Sequence, residues 1–185
     1  RPRKGFSDSR GWAAKTDCTA KGSPDSQVLK KFNLTKNKYI CLQPSARGDN
    51  PTPKTWHPNN FISLAYEIQV FYPNYNIVLL GDKGDLEKVI NNYTWPDFVK
   101  NLAGKTNMNE LVNLLFNSSC TVCHDSGIMH LANGLKVPLI ALYGPTDYSW
   151  TAPRGKNTKV LFSKTESFGI MSKLEKSEPQ LAEMY

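Results

Sequence analysis

The sequence predicts an α/β fold: a Rossmann-like parallel sheet with helices on both faces. Two observations carry this. Short apolar runs that read as strands alternate along the chain with stretches whose apolar residues recur at helical spacing. The connections are mostly short, which suits strand–helix–strand units better than separate layers. Right-handed crossovers then place the carboxyl end of every strand on one edge of the sheet. The polar, glycine-bearing stretches 43–54, 81–85, 103–106, 124–127 and 143–147 all fall on that edge.

Taken in order, residues 1–37 are weakly patterned. Gly5, Gly11, Gly22, Ser23 and Pro24 interrupt them, and only 26–32 reads as a short helix. This segment is expected to be a linker or arm, or the remnant of an upstream domain. The patterned domain is expected over 38–164, with 165–185 as a tail. Tyr39-Ile40-Cys41-Leu42 reads as the first strand, followed by the polar loop 43–55. Pro58 suits the first position of a helix. Phe61, Ile62, Leu64, Ala65, Ile68 and Phe71 continue it at helical spacing, and Pro73 stops it. Ile77-Val78-Leu79-Leu80 is the second strand, ending at Gly81, and Leu86, Val89 and Ile90 mark a short helix. Phe98, Val99 and Leu102 mark a brief third strand. Asn107 with Glu110 forms a capping pair that opens the helix 111–116. Thr121-Val122 is the centre of a fourth strand, 129–135 a helix, 138–143 a fifth strand and 159–162 a sixth.

Composition narrows the function classes. The chain has 185 residues, 39% hydrophobic and 21% charged, enough for one domain with its own core. Its net charge of +7 suits phosphate-bearing ligands, anionic membrane surfaces or nucleic acid. Nucleic acid is disfavoured, because only Phe6 and Trp12 offer aromatic groups among the basic residues of the N-terminal segment. No apolar run approaches the roughly 18 residues a membrane span needs. No signal-peptide pattern opens the chain, and it begins with Arg1, so a fragment is expected.

The four cysteines are Cys18, Cys41, Cys120 and Cys123. Cys120-Thr121-Val122-Cys123-His124 matches the attachment pattern of c-type haem. The motif lies between an apolar helix and a polar turn, where a buried strand belongs, and it is read as that strand. No partner ligands at metal-site spacing accompany the pair.

The stretch 120–147 is the centre of the chain: strand, polar turn, short helix, strand, polar turn. Asp125, Ser126 and Gly127 sit where the first of these strands ends. Helix N-termini present free N–H groups and a positive dipole end to anions, and a glycine lets the backbone approach a phosphate closely. An ordinary N-cap by Asp125 or Ser126 is the simpler role for the same residues.

Five motifs in order carry a resemblance. They are Lys54-x-Trp56-x-Pro58, Leu79-Leu80-Gly81, Asn-Leu-Ala-Gly-Lys-Thr at 101–106, Asp-Ser-Gly-x-Met-His-Leu-Ala at 125–132 and Gly-Pro-Thr-Asp at 144–147. Over roughly residues 38–162 the chain resembles the heptosyltransferases of glycosyltransferase family nine. The resemblance implies the C-terminal, donor-binding half of a GT-B enzyme that uses an ADP-sugar for inverting, metal-independent glycosyl transfer in the synthesis of lipopolysaccharide or a related glycan. It implies no cofactor beyond the donor substrate and no metal. A glycan or lipid-linked acceptor would be bound by an N-terminal domain absent from these residues, which in the family also supplies the aspartate that deprotonates the acceptor. It further implies a cytoplasmic enzyme at the inner face of the inner membrane, in peripheral association with it.

The resemblance also distributes roles. Asp125, Ser126 and Gly127 would meet the donor's diphosphate and sugar, with His130 near the donor. Lys54 would stabilise the leaving diphosphate, with Arg47 as a rival because the loop before it is long and proline-rich. Ser45 resembles the hydroxyl residue that opens this loop. Asp85 would accept the ribose hydroxyls, in competition with Asp82 and Glu87. Thr106 resembles the position whose backbone meets the nucleobase, while Thr146 and Asp147 shape the rim. Alone, the chain is expected to bind donor weakly and to transfer little. Two alternatives are another sugar-nucleotide enzyme, such as a UDP-sugar 2-epimerase, and a non-catalytic interaction domain that keeps the fold.

Overall fold

Six strands, all parallel, lie in the order β3-β2-β1-β4-β5-β6 in a computed structural model that describes residues 26–46, 55–144 and 151–162. The strands are β1 (Tyr39–Gln43), β2 (Asn76–Leu79), β3 (Val99–Asn101), β4 (Cys120–His124), β5 (Leu139–Tyr143) and β6 (Thr158–Phe162). The helices are α1 (Ser26–Lys31), α2 (Pro58–Phe71), α3 (Lys83–Lys88), α4 (Met108–Phe116) and α5 (Gly127–Gly134), with a 3-10 turn at Ile90–Asn92. This is the doubly wound order in which the chain runs outward to one edge, returns, and runs outward to the other. The reversal falls between β1 and β4, where Leu42 pairs with Val122 and Gln43 with Cys123.

Both faces of the central strands β1, β2, β4 and β5 are covered, so these strands are mainly apolar and alternation sorts their side chains between two layers, while the edge strands β3 and β6 are less buried. Cys41, Val78, Leu80, Cys123, Leu139 and Ala141 pack with α1, α4 and α5 through Val28, Leu29, Leu114, Leu115, Met129 and Ala132. Leu42, Ile77, Leu79 and Val122 pack on the other face against Phe61, Ala65 and Ile68 of α2. Phe61 is fully buried. Truncating such a side chain to alanine costs about 3–5 kcal/mol.

Helix ends are closed by their own sequence. Asn107 and Glu110 exchange reciprocal bonds at the start of α4, as the capping pair predicts. At its C-terminus, the Tyr39 hydroxyl donates to the Leu114 carbonyl at 2.6 Å and the Ser118 hydroxyl to the Leu115 carbonyl at 2.8 Å. These contacts satisfy carbonyls that a helix end leaves orphaned, and they lock α4 onto β1.

One expectation is corrected. The boundary drawn at residue 38 cuts through packed structure: Val28, Leu29 and Leu34 are buried in the core beneath α4. Lys31 also pairs with Glu110 at 2.6 Å. The short helix expected over 26–32 is present as α1, but six residues are too few to show from sequence which face packs on the core. The rest of the expected N-terminal segment and the tail 165–185 lie outside the described residues, as do Arg47, Lys54, Thr146 and Asp147.

Candidate functional site

The loops at the carboxyl ends of β1, β2, β3 and β4 enclose a cleft of about 700 Å³. That is within the range of about 300–1,000 Å³ usual for small-molecule sites. It sits at the reversal of strand order, where open α/β sheets bind their ligands. Four chain segments supply its walls, and each is positioned for a local reason.

The first wall is the turn from β4 into α5. Ser126 is the N-cap of α5, its backbone extended and its hydroxyl accepting from the Met129 N–H at 3.5 Å. The same hydroxyl donates to Oε1 of Gln43 at 2.6 Å, which ties the ends of β1 and β4 together across the switch point. The N–H groups of Gly127 and Ile128 have no acceptor among the described residues. A side chain at Gly127 would meet no atom within 4 Å, so the backbone is open to the cleft there. Free N–H groups at the positive end of a helix dipole form an anion site.

The second wall follows β2. Asp82 caps α3 and Asp85 caps it back: Asp82 Oδ1 accepts from the Asp85 N–H at 2.8 Å, and Asp85 Oδ2 accepts from the Asp82 N–H at 3.0 Å. Gly81 makes this possible, since a Cβ there would lie 2.8 Å from the Asp85 Cβ. Lys83 completes this wall with one cationic group. The third wall follows β3. Gly104 turns with φ +68°, in the left-handed region that favours glycine, and Thr106 follows it into the cleft. Met108, Leu111 and Ile128 add apolar surface. Thus one end of the cleft offers N–H groups, one side offers carboxylates, and another offers apolar contact.

Behind the cleft, His124 ends β4 fully buried. Its Nε2 accepts from the Trp56 N–H at 2.7 Å, and its Nδ1 lies 3.3 Å from the Ser45 carbonyl. A neutral imidazole has one donor and one acceptor nitrogen, so this pairing sets the tautomer with the proton on Nδ1. Burial pushes its pKa down to about 4, and the backbone carbonyls of Ser45 and Gln43 oppose that shift. The imidazole also meets the Phe61 ring edge-on at 5.3 Å.

The residues singled out from sequence fall into three groups. Asp85, Thr106, Ser126 and Gly127 meet in the cleft, and so does the rival Asp82. Ser45, Asp125 and His130 do not line it. Ser45 is buried with its hydroxyl unpaired, Asp125 accepts from the Thr151 hydroxyl at 3.2 Å, and His130 is exposed one turn along α5. The rival Glu87 is exposed on α3 away from the cleft. Lys54 lies outside the described residues. Sequence reasoning missed Gln43 and His124. Alternation was the available signal: it sends Gln43 to the face of Cys41 and α5, and His124 to the face of Val122 and Phe61.

The haem-like motif is a strand interior. Cys123 is buried, Cys120 half-buried, and both carry free thiols, as does Cys41. Burial raises the pKa of all three. Among the described residues, no group of three His, Cys, Asp or Glu side chains is gathered as a metal site, and no helix is long and apolar enough to cross a membrane.

Known proteins share this fold. The family model described as glycosyltransferase family 9 (heptosyltransferase) matches residues 4–181. Lipooligosaccharide heptosyltransferase 2 of Haemophilus influenzae is 48% identical over 154 residues, 77% of this chain and 43% of that protein. Lipopolysaccharide heptosyltransferase 2 of Escherichia coli K12 is 28% identical over 161 residues, 77% of this chain and 46% of that protein. The chain therefore spans less than half the length of these relatives. The solved structure of E. coli ADP-heptose lps heptosyltransferase II superposes with a TM-score of 0.65 at 25% identity, over 87% of this chain and 53% of that one. The six-stranded parallel sheet is the Rossmann-like half of a GT-B fold, and the chain belongs to glycosyltransferase family 9, the heptosyltransferases.

Proposed function

We propose that this chain is the donor-binding half of a heptosyltransferase-like enzyme. It takes an ADP-sugar for inverting, metal-independent transfer in the synthesis of lipopolysaccharide or a related glycan. The observation that carries the reading is the cleft itself: free N–H groups at the start of α5 face Asp85 and Thr106 across the switch point. A nucleoside diphosphate sugar has an anionic centre, hydroxyls and an aromatic base, and the three walls offer a partner for each. In this reading Ser126 and Gly127 meet the diphosphate, Asp85 the ribose hydroxyls and Thr106 the base. Lys54 stabilises the charge that develops on the leaving diphosphate, which is the charge an electrostatic catalyst must meet. Ser45, Asp125 and His130 are proposed as further donor-binding residues, with Asp125 at the diphosphate and sugar and His130 near the donor, although none of the three lines the cleft. Family membership favours transfer over epimerisation.

The acceptor side is assigned to a region beyond these 185 residues, together with the base that activates the acceptor hydroxyl. The lone chain then binds donor and transfers little or nothing. A lipid-linked acceptor would hold the complete enzyme at the inner face of the inner membrane, on its cytoplasmic side. Calorimetric titration of the folded chain with ADP and ADP-heptose tests the donor reading: weak but saturable binding is expected, and none at millimolar ligand defeats it. Lys54→Ala and Asp125→Ala should each weaken the binding, and unchanged affinity removes those two assignments.

A further inference from the structure

Gln43 ends the first strand only 5% exposed, yet it lines the cleft. Its amide oxygen is taken by the Ser126 hydroxyl at 2.6 Å. No hydrogen bond to a described residue uses its amide nitrogen. The Ser126 hydroxyl is committed twice: it spends its one proton on Gln43 and accepts from Met129. A hydroxyl has a single proton to give. An anion at the start of α5 therefore finds no donor in the Ser126 hydroxyl while this bond stands, and meets Ser126 only through its backbone. The side-chain donor held beside the free N–H groups of Gly127 and Ile128 is the Gln43 amide.

We infer that Gln43 is a phosphate-binding residue: its Nε2–H donates to a phosphoryl oxygen of the bound nucleoside diphosphate, and the Ser126 hydroxyl holds the amide in that orientation. The inference rests on the donor-site reading and adds to it the group that faces the diphosphate. The amide nitrogen is not one of the buried unpaired side-chain atoms and reaches the open cleft, so a ligand that displaces water there must supply an acceptor in its place. A phosphoryl oxygen supplies that acceptor with negative charge, which makes the hydrogen bond stronger than a neutral one.

The test uses the full chain with ADP, inorganic pyrophosphate and adenosine as probes. Gln43→Glu keeps an acceptor for the Ser126 hydroxyl and replaces the donor with an anion. At pH 8 it should bind ADP and pyrophosphate at least tenfold more weakly, bind adenosine as before, and melt close to the unsubstituted chain. A second measurement needs no substitution. The ¹⁵N resonance of the Gln43 side-chain amide should move on addition of ADP or pyrophosphate and stay put with adenosine. An unmoved resonance at saturating ADP overturns the role of Gln43 and leaves the donor reading standing. If the folded chain binds neither ADP nor pyrophosphate, both fall.

Discussion

The backbone N–H of Trp56 donates to Nε2 of His124 at 2.7 Å, across 68 residues of sequence. Since Nδ1 of the same ring meets the Ser45 carbonyl, one buried imidazole holds both the start and the end of the connection between β1 and α2. It can do so only while neutral, because a protonated ring has no acceptor nitrogen.

Acid should therefore loosen the fold through this residue. The pKa of His124 is about 4 in the folded chain against an ordinary 6.5. Between those values the unfolded chain takes up a proton that the folded chain refuses. Stability then falls as pH drops from 6.5 towards 4, by up to about 3 kcal/mol, and this group adds no further loss below that. Urea unfolding at pH 7 and pH 5 checks it. His124→Asn should flatten the difference, and an equal slope in both proteins counts against the neutral buried ring.

Replacing the ring by phenylalanine tests the tether. The Trp56 N–H would lose its acceptor, and losing one such part-buried hydrogen bond costs about 0.5–1.5 kcal/mol. Hydrogen exchange at the Trp56 amide should accelerate far more than exchange in β5. Uniform acceleration would mean that the ring supports the fold only in general.

Two cleft glycines should behave in opposite ways. Gly81→Ala sets a Cβ 2.8 Å from the Asp85 Cβ and forces the capping box of α3 apart, at a cost of about 1–3 kcal/mol. Gly127→Ala meets nothing within 4 Å, so melting should hold or rise slightly, as alanine in a helix is favoured over glycine by up to about 1 kcal/mol. It adds a methyl to a residue that lines the cleft, and ADP affinity should drop. Thermal melts paired with titrations separate the two effects.

Lys136 carries φ 59° just past the end of α5, a conformation that glycine adopts without strain. Lys136→Gly should raise stability by about 1 kcal/mol, read as a higher urea midpoint at unchanged slope.

The buried thiols should resist alkylation. Cys41 and Cys123 are buried with raised pKa values, so at pH 8 they should react with iodoacetamide only as fast as the chain unfolds. Prompt labelling of either position in peptide maps would show that the β1–β4 seam opens locally.

The sheet was legible because the buried strands are continuous apolar runs and Pro58, Pro73 and the Asn107–Glu110 pair punctuate the helices. Helix α1 was legible as a helix, but its place in the core was not, because Val28 and Leu29 alone do not show which face is buried. In the cleft, Ser126, Gly127, Asp85 and Thr106 were readable from their places after strands. Gln43 was taken as the first residue of a polar loop, although it still belongs to β1 and points inward. His124 was read as the last residue of the cysteine motif in a buried strand, and nothing in the sequence showed that its ring reaches both Ser45 and Trp56.

The reversal between β1 and β4 has a kinetic side. Pairings within β1-β2-β3 and within β4-β5-β6 join strands that are neighbours in sequence, whereas Ile40 meets Cys120 only by closing a loop of about 80 residues. Closing a long loop costs entropy before its contacts repay it. The two half-sheets are therefore expected to form first and to join last. The cleft spans that junction, so a molecule bound there acts as a late clasp. It should slow unfolding while leaving the rate of folding nearly unchanged.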